Sequence, residues 1–375
     1  MPPLTGAVRF CPYKLKRTMK NIALICGGKS PEHEISVRSA KNILSAIDRS
    51  QFRVTLIAID RQGRWRLQEE SQLGKFVAAE GPQLALLPGN ETGQIIRLDN
   101  GQPIEQPAAI FLILHGPQGE DGTIQGLLRI LGLPFVGPDV LGSSVAMDKD
   151  VAKRLLKEAG LNVARGIVVH AHERDTLDYE QLTKQFGSPI FVKPANMGSS
   201  VGVHKVKTAA QFDAAIKDAF QYDTKLLIEE MIHGRELECA VLGNELPKVT
   251  KAGEVVIVSE EEYSFDAKYE NADAAQLMIP AEVSEAELER LRSVAIRAYQ
   301  ALNCEVLSRV DMFLTAEGKV YVNEINTLPG FTNISMYPAL WKEAGIPYPE
   351  LITRLLQLAI TRHEARKQLK TSWRE

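Results

Sequence analysis

From Asn21 onward, short apolar runs alternate with stretches of helical period. NIALIC reads as a buried strand. Behind it Val37, Ala40, Leu44 and Ile47 recur at spacings of three and four, the period of an amphipathic helix. Ser30 is placed to N-cap that helix, with Pro31 at its first position. RVTLIAID and AAIFLIL repeat the strand pattern, and TIQGLLRIL reads as a helix stopped by Gly132. This order predicts a βαβ-type parallel sheet, in which ligands bind beyond the carboxyl ends of the strands. GGKSPEHE and HGPQGEDG both lie at such ends.

The pattern then changes. A second unit begins near Pro138 with the helix MDKDVAKRLLKEAG, closed by Gly160. It continues through the strand PIFVKPA, the loop NMGSSVG, a helix near Ala209 to Phe220 and the strand KLLIEEMI. A third follows Gly234, with strands, the polar loop SEEEYSFDAKYENADA, a helix from about Ser284 to Leu302, a hairpin and two terminal helices. The expected division is 1–19 as an extension, 20–137, 138–233 and 234–375, with 260–275 as a lid; the fold class is α/β, α+β in part. There is no internal repeat and no low-complexity segment.

Composition narrows the function classes. The chain has 375 residues, 45% of them hydrophobic, enough for two or three domains with cores. A net charge of −3 and a pI near 6.2 argue against a nucleic-acid footprint, which is strongly basic. No apolar run reaches the length that spans a bilayer. Cys11, Cys26, Cys239 and Cys304 are scattered without metal-ligand spacing, which reads as reduced cytosolic thiols. The first 20 residues carry five basic residues and no acid but lack a signal peptide's apolar region, so a disordered tail or an upstream start is expected there.

GGKS resembles the end of a phosphate-binding P-loop, but that motif requires glycine where Ala23 stands. Nucleotide phosphates would have to be held elsewhere. RVDMFLTAEGKVYVNEINTLPGF is more informative. With a two-residue turn at Glu317-Gly318, Asp311 faces Glu324 and Arg309 faces Asn326 on one sheet face, opposite Val310, Met312 and Leu314. Opposed carboxylates repel. Mg²⁺ or Mn²⁺ between them suits two carboxylates and an amide oxygen; Arg309 alone could instead neutralise the acids, or a register shift of one could leave the face solvated.

FVKPANMGSSVGVHKV joins two strands through a loop in which Gly198 and Gly202 permit close backbone approach and Ser199 and Ser200 offer hydroxyl and N–H groups, with Lys193 leading in. A phosphate clamp and a plain hairpin both fit. Lys149 by itself reads as a solvated lysine. In EEMIHGRE, an interdomain linker could read an adenine edge, with Met231 and Ile232 on the ring and Glu236 on the ribose; an acidic turn is the alternative.

Together, GGKSPEHEIS, LHGPQGEDG, MDK, VKPANMGSSVGV, IEEMIHGRELECAVLG, DAKY, RVD and NEINTLPGFTNIS resemble the ATP-grasp superfamily and, within it, the D-alanine:D-alanine ligase family, over nearly the whole chain from about residue 20. The resemblance implies a three-domain ATP-grasp architecture with ATP between the central and C-terminal domains. It places Lys149, Lys193, Ser199, Ser200 and Lys268 toward the phosphates, Glu229, Glu230, Met231 and Ile232 along adenine, and Glu236 on the ribose. It implies two Mg²⁺ or Mn²⁺ ions on Asp311, Glu324 and Asn326. For substrate it implies Glu32 on the first amino group, His115 near its carboxylate, Arg309 and the Gly330 N–H at the oxyanion, Ser335 on the second carboxylate, and Tyr269 linking Ser199 to Glu32. GGKSPEHEIS is then an amino-acid loop whose useful group is Glu32, although an acid in a first helical turn ordinarily only complements the helix dipole. The implied reaction joins two D-alanines through an acyl phosphate for peptidoglycan, in a homodimeric cytoplasmic enzyme with no nucleic-acid or membrane partner. Met197 departs from the polar residue common at its position. GGKSPEHEIS and TLPGFTNIS argue against dipeptide or glutathione-type ligases, and the presence of Lys193, Arg309, Asp311 and Glu324 against a non-catalytic nucleotide-binding module.

Overall fold

The computed structural model describes residues 19–73, 81–89, 94–257 and 275–373. The first unit is built on β1 (Lys20–Gly27), α1 (His33–Ala46), β2 (Phe52–Ile59), β3 (Trp65–Gln68), a hairpin of β4 (Leu84–Leu87) and β5 (Gln94–Arg97), then β6 (Ile110–Leu114) and α2 (Thr123–Ile130). The main sheet runs β3-β2-β1-β6, with β1 parallel to both β2 and β6. The parallel core therefore matches the apolar runs. The antiparallel edge strand β3 and the β4–β5 excursion were not legible in them. Every residue of β1 after Lys20 is buried, as expected of a strand covered on both faces.

α1 begins two residues later than the Ser-Pro signal suggests. Ser30 Oγ donates to the His115 carbonyl at 2.8 Å and accepts from the Glu32 N–H at 3.1 Å, so Ser30-Pro31-Glu32 is a turn and Glu32 takes the N-cap position. The hydroxyl that would have capped the helix ties two strand-end loops together instead. At Gly27, φ is +90° and an added Cβ would lie 2.2 Å from the Ile59 carbonyl oxygen, so only glycine lets β1 turn there.

The second unit has α3 (Val140–Met147), α4 (Lys149–Glu158), β7 (Gly166–His170), α5 (Tyr179–Phe186), β8 (Ile190–Pro194), β9 (His204–Val206), α6 (Ala209–Ala219) and β10 (Lys225–Glu230). Its antiparallel sheet runs β7-β10-β8-β9. Asp148 caps α4 by accepting from the Asp150 and Val151 N–H groups.

The third has β11 (Arg235–Gly243), β12 (Lys248–Ile257), β13 (Ala275–Met278), α7 (Glu285–Ala301), β14 (Val306–Leu314), β15 (Val320–Asn326), α8 (Met336–Glu343) and α9 (Tyr348–Lys367). Its sheet runs β13-β12-β11-β14-β15. Leu237, Cys239, Val310 and Met312 bury one face in a core shared with Leu288, Leu291 and Ala295 of α7. Ala152 and Leu156 of α4 belong to this same core, which fixes the lysine-bearing helix to the third sheet. The opposite face is divided: Ala240, Leu242 and Val255 lie in the core that includes Met336, Leu340 and Trp341 of α8, and the rest carries polar residues.

The β14–β15 hairpin corrects one expectation. Arg309 pairs with Asn326 and Asp311 with Glu324 as predicted, but Met312 pairs with Val322 and Leu314 with Val320. The turn is not the two-residue Glu317-Gly318 type: the Thr315 N–H bonds the Lys319 carbonyl at 2.9 Å, leaving three residues between them. A bulge at Asn323 supplies the compensating shift. The two departures cancel at the acidic pair.

Candidate active site

Three strand ends and two loops meet on that polar face. Glu32 is 6% exposed, and Ser199 Oγ donates to its carboxylate, joining the first unit to the 198–202 loop of the second. Ser199 and Ser200 have φ of +51° and +60°, costly for side-chain-bearing residues and a conformation that a structure keeps where it serves a site. Gly116 (φ +73°) faces the same carboxylate; a Cβ there would lie 2.5 Å from Glu32 Oε2.

His115 is 5% exposed, and its Nε2 has no partner among the described residues. Burial, with Arg309 nearby, pulls its pKa down to about 4, so the imidazole is neutral near pH 7. The folded state therefore binds fewer protons here than the unfolded chain, and stability present above about pH 6.5 is lost as pH falls through about 4. His115→Gln is expected to flatten that part of the profile. Melting temperature against pH for both proteins checks it, and parallel curves between those limits would exclude a buried neutral His115.

Glu120, within HGPQGEDG but given no role by sequence, bridges two units. Its carboxylate accepts from the Gly116 N–H at 2.7 Å and from the Leu328 N–H at 3.1 Å. Burial, followed by the charge of Glu32, pushes its pKa up to about 8. The Leu328 contact helps hold the loop 327–335. Phe331 anchors that loop further, fully buried with its ring 5.5 Å from Phe111 at 86°, while its N–H donates to Ser39 Oγ at 3.1 Å. Gly330 and Ser335 are thereby adjacent: a Cβ on Gly330 would lie 2.9 Å from Ser335 Oγ, and Ser335 Oγ accepts from the Thr332 N–H at 2.9 Å.

Lysines line the second unit's side. Lys149 is not a solvated surface residue: it is 9% exposed, donates to the Met197 carbonyl at 2.6 Å and stands 3.3 Å from Glu324. Lys193 pairs with Glu229 at 2.6 Å, and Lys153 pairs with the other oxygen of the same carboxylate. Burial alone would raise the Glu229 pKa, but Lys193 and Lys153 outweigh it and hold the group at about 2. Burial, then repulsion from Lys193, draws Lys153 down to about 7. Sequence reasoning missed Lys153; the signal was a lysine in the buried 149, 152, 153, 156 stripe of α4.

Both acids of the expected adenine strip are committed to protein. Glu229 holds the lysines, and Glu230 accepts from the Arg165 N–H at 2.8 Å and Nε at 2.7 Å. Their carboxylates therefore brace the strip. Met231 and Ile232 follow, half-buried, in the link between the two sheets, with Glu236 partly exposed at the start of β11. Ser200 is half-buried in the 198–202 loop. Lys268 and Tyr269 lie outside the described residues.

On β11, β14 and β15, Glu238, Asp311 and Glu324 stand in one cross-strand row. Arg309 forks onto Asp311, Nε to Oδ1 at 2.7 Å and Nη2 to Oδ2 at 2.6 Å, and its Nε is also 2.9 Å from Glu238 Oε2. Arg309 thus supplies in this structure the counter-charge that the sequence left open between arginine and metal. No group of three His, Cys, Asp or Glu with metal-site geometry occurs among the described residues. A hard cation nevertheless fits the donor set of Asp311, Glu324 and Asn326, all oxygen donors, because Asn326 Oδ1 is buried without a partner.

Residues 21–138 match the family described as D-ala D-ala ligase N-terminus, and residues 155–357 the one described as D-ala D-ala ligase C-terminus. The chain is 52% identical over 363 residues to a D-alanine–D-alanine ligase of Shouchella clausii, covering 94% of this chain and 98% of the relative. It is 47% identical over 361 residues to D-alanine–D-alanine ligase A of Escherichia coli K12, with the same coverage. Among solved structures, the D-alanine-D-alanine ligase from Coxiella burnetii superposes with a TM-score of 0.83 at 36% identity, covering 93% of this chain and 96% of that one. VanG D-Ala:D-Ser ligase from Enterococcus faecalis is also similar, with a TM-score of 0.81 at 32% identity over 91% of this chain and 99% of that one.

Proposed function

The chain belongs to the D-alanine–D-alanine ligase family, and from that premise we infer that it joins two D-alanine molecules with ATP as the driving substrate, releasing ADP and phosphate. It is an ADP-forming ligase of peptidoglycan synthesis with the ATP-grasp fold of that family. No helix among the described residues is long and apolar enough to cross a membrane. Cytoplasmic residence, assembly as a homodimer and the three-domain division given above belong to the proposal.

The observation that carries the residue roles is the convergence of Ser199 on Glu32 and of Lys149 on Glu324, which sets the amino-acid loop, the phosphate loop and the acidic hairpin side by side. Glu32 receives the ammonium of the first D-alanine and His115 lies by its carboxylate. Lys149 and Lys193 draw the phosphates of ATP into line, the Ser199-Ser200 loop covers them, and Met231, Ile232 and Glu236 hold the nucleoside. Asp311, Glu324 and Asn326 would hold Mg²⁺ or Mn²⁺, two ions in the full proposal. A cation bound there neutralises charge on the transferring phosphoryl group.

A carboxylate oxygen of the first D-alanine forms a bond to the γ-phosphorus while the bond to the bridging oxygen of ADP breaks. The amine of the second D-alanine, fixed through its carboxylate by Ser335, attacks the carbonyl carbon of the acyl phosphate. Arg309 and the Gly330 N–H stabilise the oxyanion. The C–O bond to phosphate then breaks, the proton released by the attacking amine leaving with the phosphate as hydrogen phosphate, and the amide remains. Residues 260–275, with Lys268 and Tyr269, serve as the lid that keeps water from the acyl phosphate.

D-alanine labelled with ¹⁸O in both carboxylate oxygens tests the route. One label is expected in the released phosphate and one in the amide carbonyl of the dipeptide, whose terminal carboxylate keeps both of its own. Phosphate free of label would exclude the acyl phosphate.

A further inference from the structure

Arg309 sits between two carboxylates of different prospects. Asp311 accepts both of its fork bonds and is also assigned to the cation; Glu238, 3% exposed, touches the same Nε at 2.9 Å from the neighbouring strand. A carboxylate drawn to a divalent ion gives up much of its hold on a guanidinium, and a buried guanidinium deprived of its counter-charge is costly. We propose that Glu238 is a positioning residue: it keeps Arg309 on the site when Asp311 turns to the cation, so that metal binding and arginine placement do not compete.

The register supports this. Glu238 pairs with Asp311 and Ala240 with Arg309 across β11 and β14, so Glu238 lies diagonal to Arg309 on the polar face, within reach of a long side chain. Glu238 is in the row of acids but on the far side of Asp311 from Glu324, which suits it to the arginine. With its charge removed, Arg309 is drawn more fully onto Asp311 and the cation must displace it.

The inference rests on Asp311 and Glu324 binding the cation, and one titration separates the two statements. Mn²⁺ alone is added to the full chain and free ion followed by its EPR signal. Glu238→Gln is expected to weaken Mn²⁺ binding about tenfold, and in an Arg309→Ala background the same change is expected to fall below about threefold, the sign of action through Arg309. Glu238→Thr, a second neutral and strand-compatible replacement, should behave alike, with cooperative melting confirming the fold of each. Unchanged Mn²⁺ affinity in either folded variant, or an equal loss with and without Arg309, would overturn the positioning role; the latter would make Glu238 a ligand itself. If Glu324→Gln leaves Mn²⁺ binding untouched, the cation assignment beneath it fails instead.

Discussion

Glu324→Gln is expected to lower turnover by about 10²–10³, together with a raised Mg²⁺ requirement. The side chain lies directly across from Asp311, and its Oε2 is 3.3 Å from Lys149. Glutamine keeps the volume and one oxygen but halves the negative charge that the two carboxylates offer a cation. Lys149 also loses a counter-charge and can swing off the line of the phosphates. Several kcal/mol of transition-state stabilisation depend on such an ion, which at about 1.4 kcal/mol per tenfold gives the stated range. Steady-state rates over a Mg²⁺ series check it. A variant with the parent's Mg²⁺ response would show that the ligands lie elsewhere.

The second large effect is on stability. Glu229→Ala should cost about 3–5 kcal/mol, the range for removing one member of a buried ion pair. Glu229 is 3% exposed and neutralises both Lys153 and Lys193, whose charges would otherwise face each other in the interior. KM for ATP should also rise about tenfold, because Lys193 is no longer held in place; such a factor corresponds to about 1.4 kcal/mol of binding. Chemical denaturation and ATP saturation curves read the two consequences separately. A protein of unchanged stability would return Glu229 to the adenine strip as a solvated acid.

Much of the fold was legible because each unit has its own period. β1, β6 and the second half of β2 are buried on both faces and read as continuous apolar runs, and α4, α6 and α7 begin at capping residues, Asp148, Thr208 and Ser284. What stayed hidden was non-local. β3 and the β4–β5 hairpin are half-exposed and carry weak patterns. The acidic pair came out in register through a wrong turn and an unseen bulge. Glu238 could not be placed because β11 and β14 are separated by more than sixty residues, and no turn fixes their pairing.

The site shows the same division. Glu32, Arg309, Asp311, Glu324 and Asn326 stood out through motif or alternation. Glu120 and Lys153 did not, since each owes its role to burial against another unit: Glu120 to the Leu328 N–H, Lys153 to Glu229. A buried lysine in an otherwise amphipathic stripe and an acid beside a strand-end glycine are weak signals until the partner is seen.

Phosphate release from ATP and Mg²⁺, with purified protein offered D-alanine, L-alanine, or D-alanine with D-lactate, and products weighed by mass spectrometry, is the most direct test. D-alanyl-D-alanine is expected with D-alanine, with no product from L-alanine. Turnover with another amino acid and none with D-alanine would contradict the ligase assignment while leaving the acidic hairpin and lysine cluster in need of a different substrate.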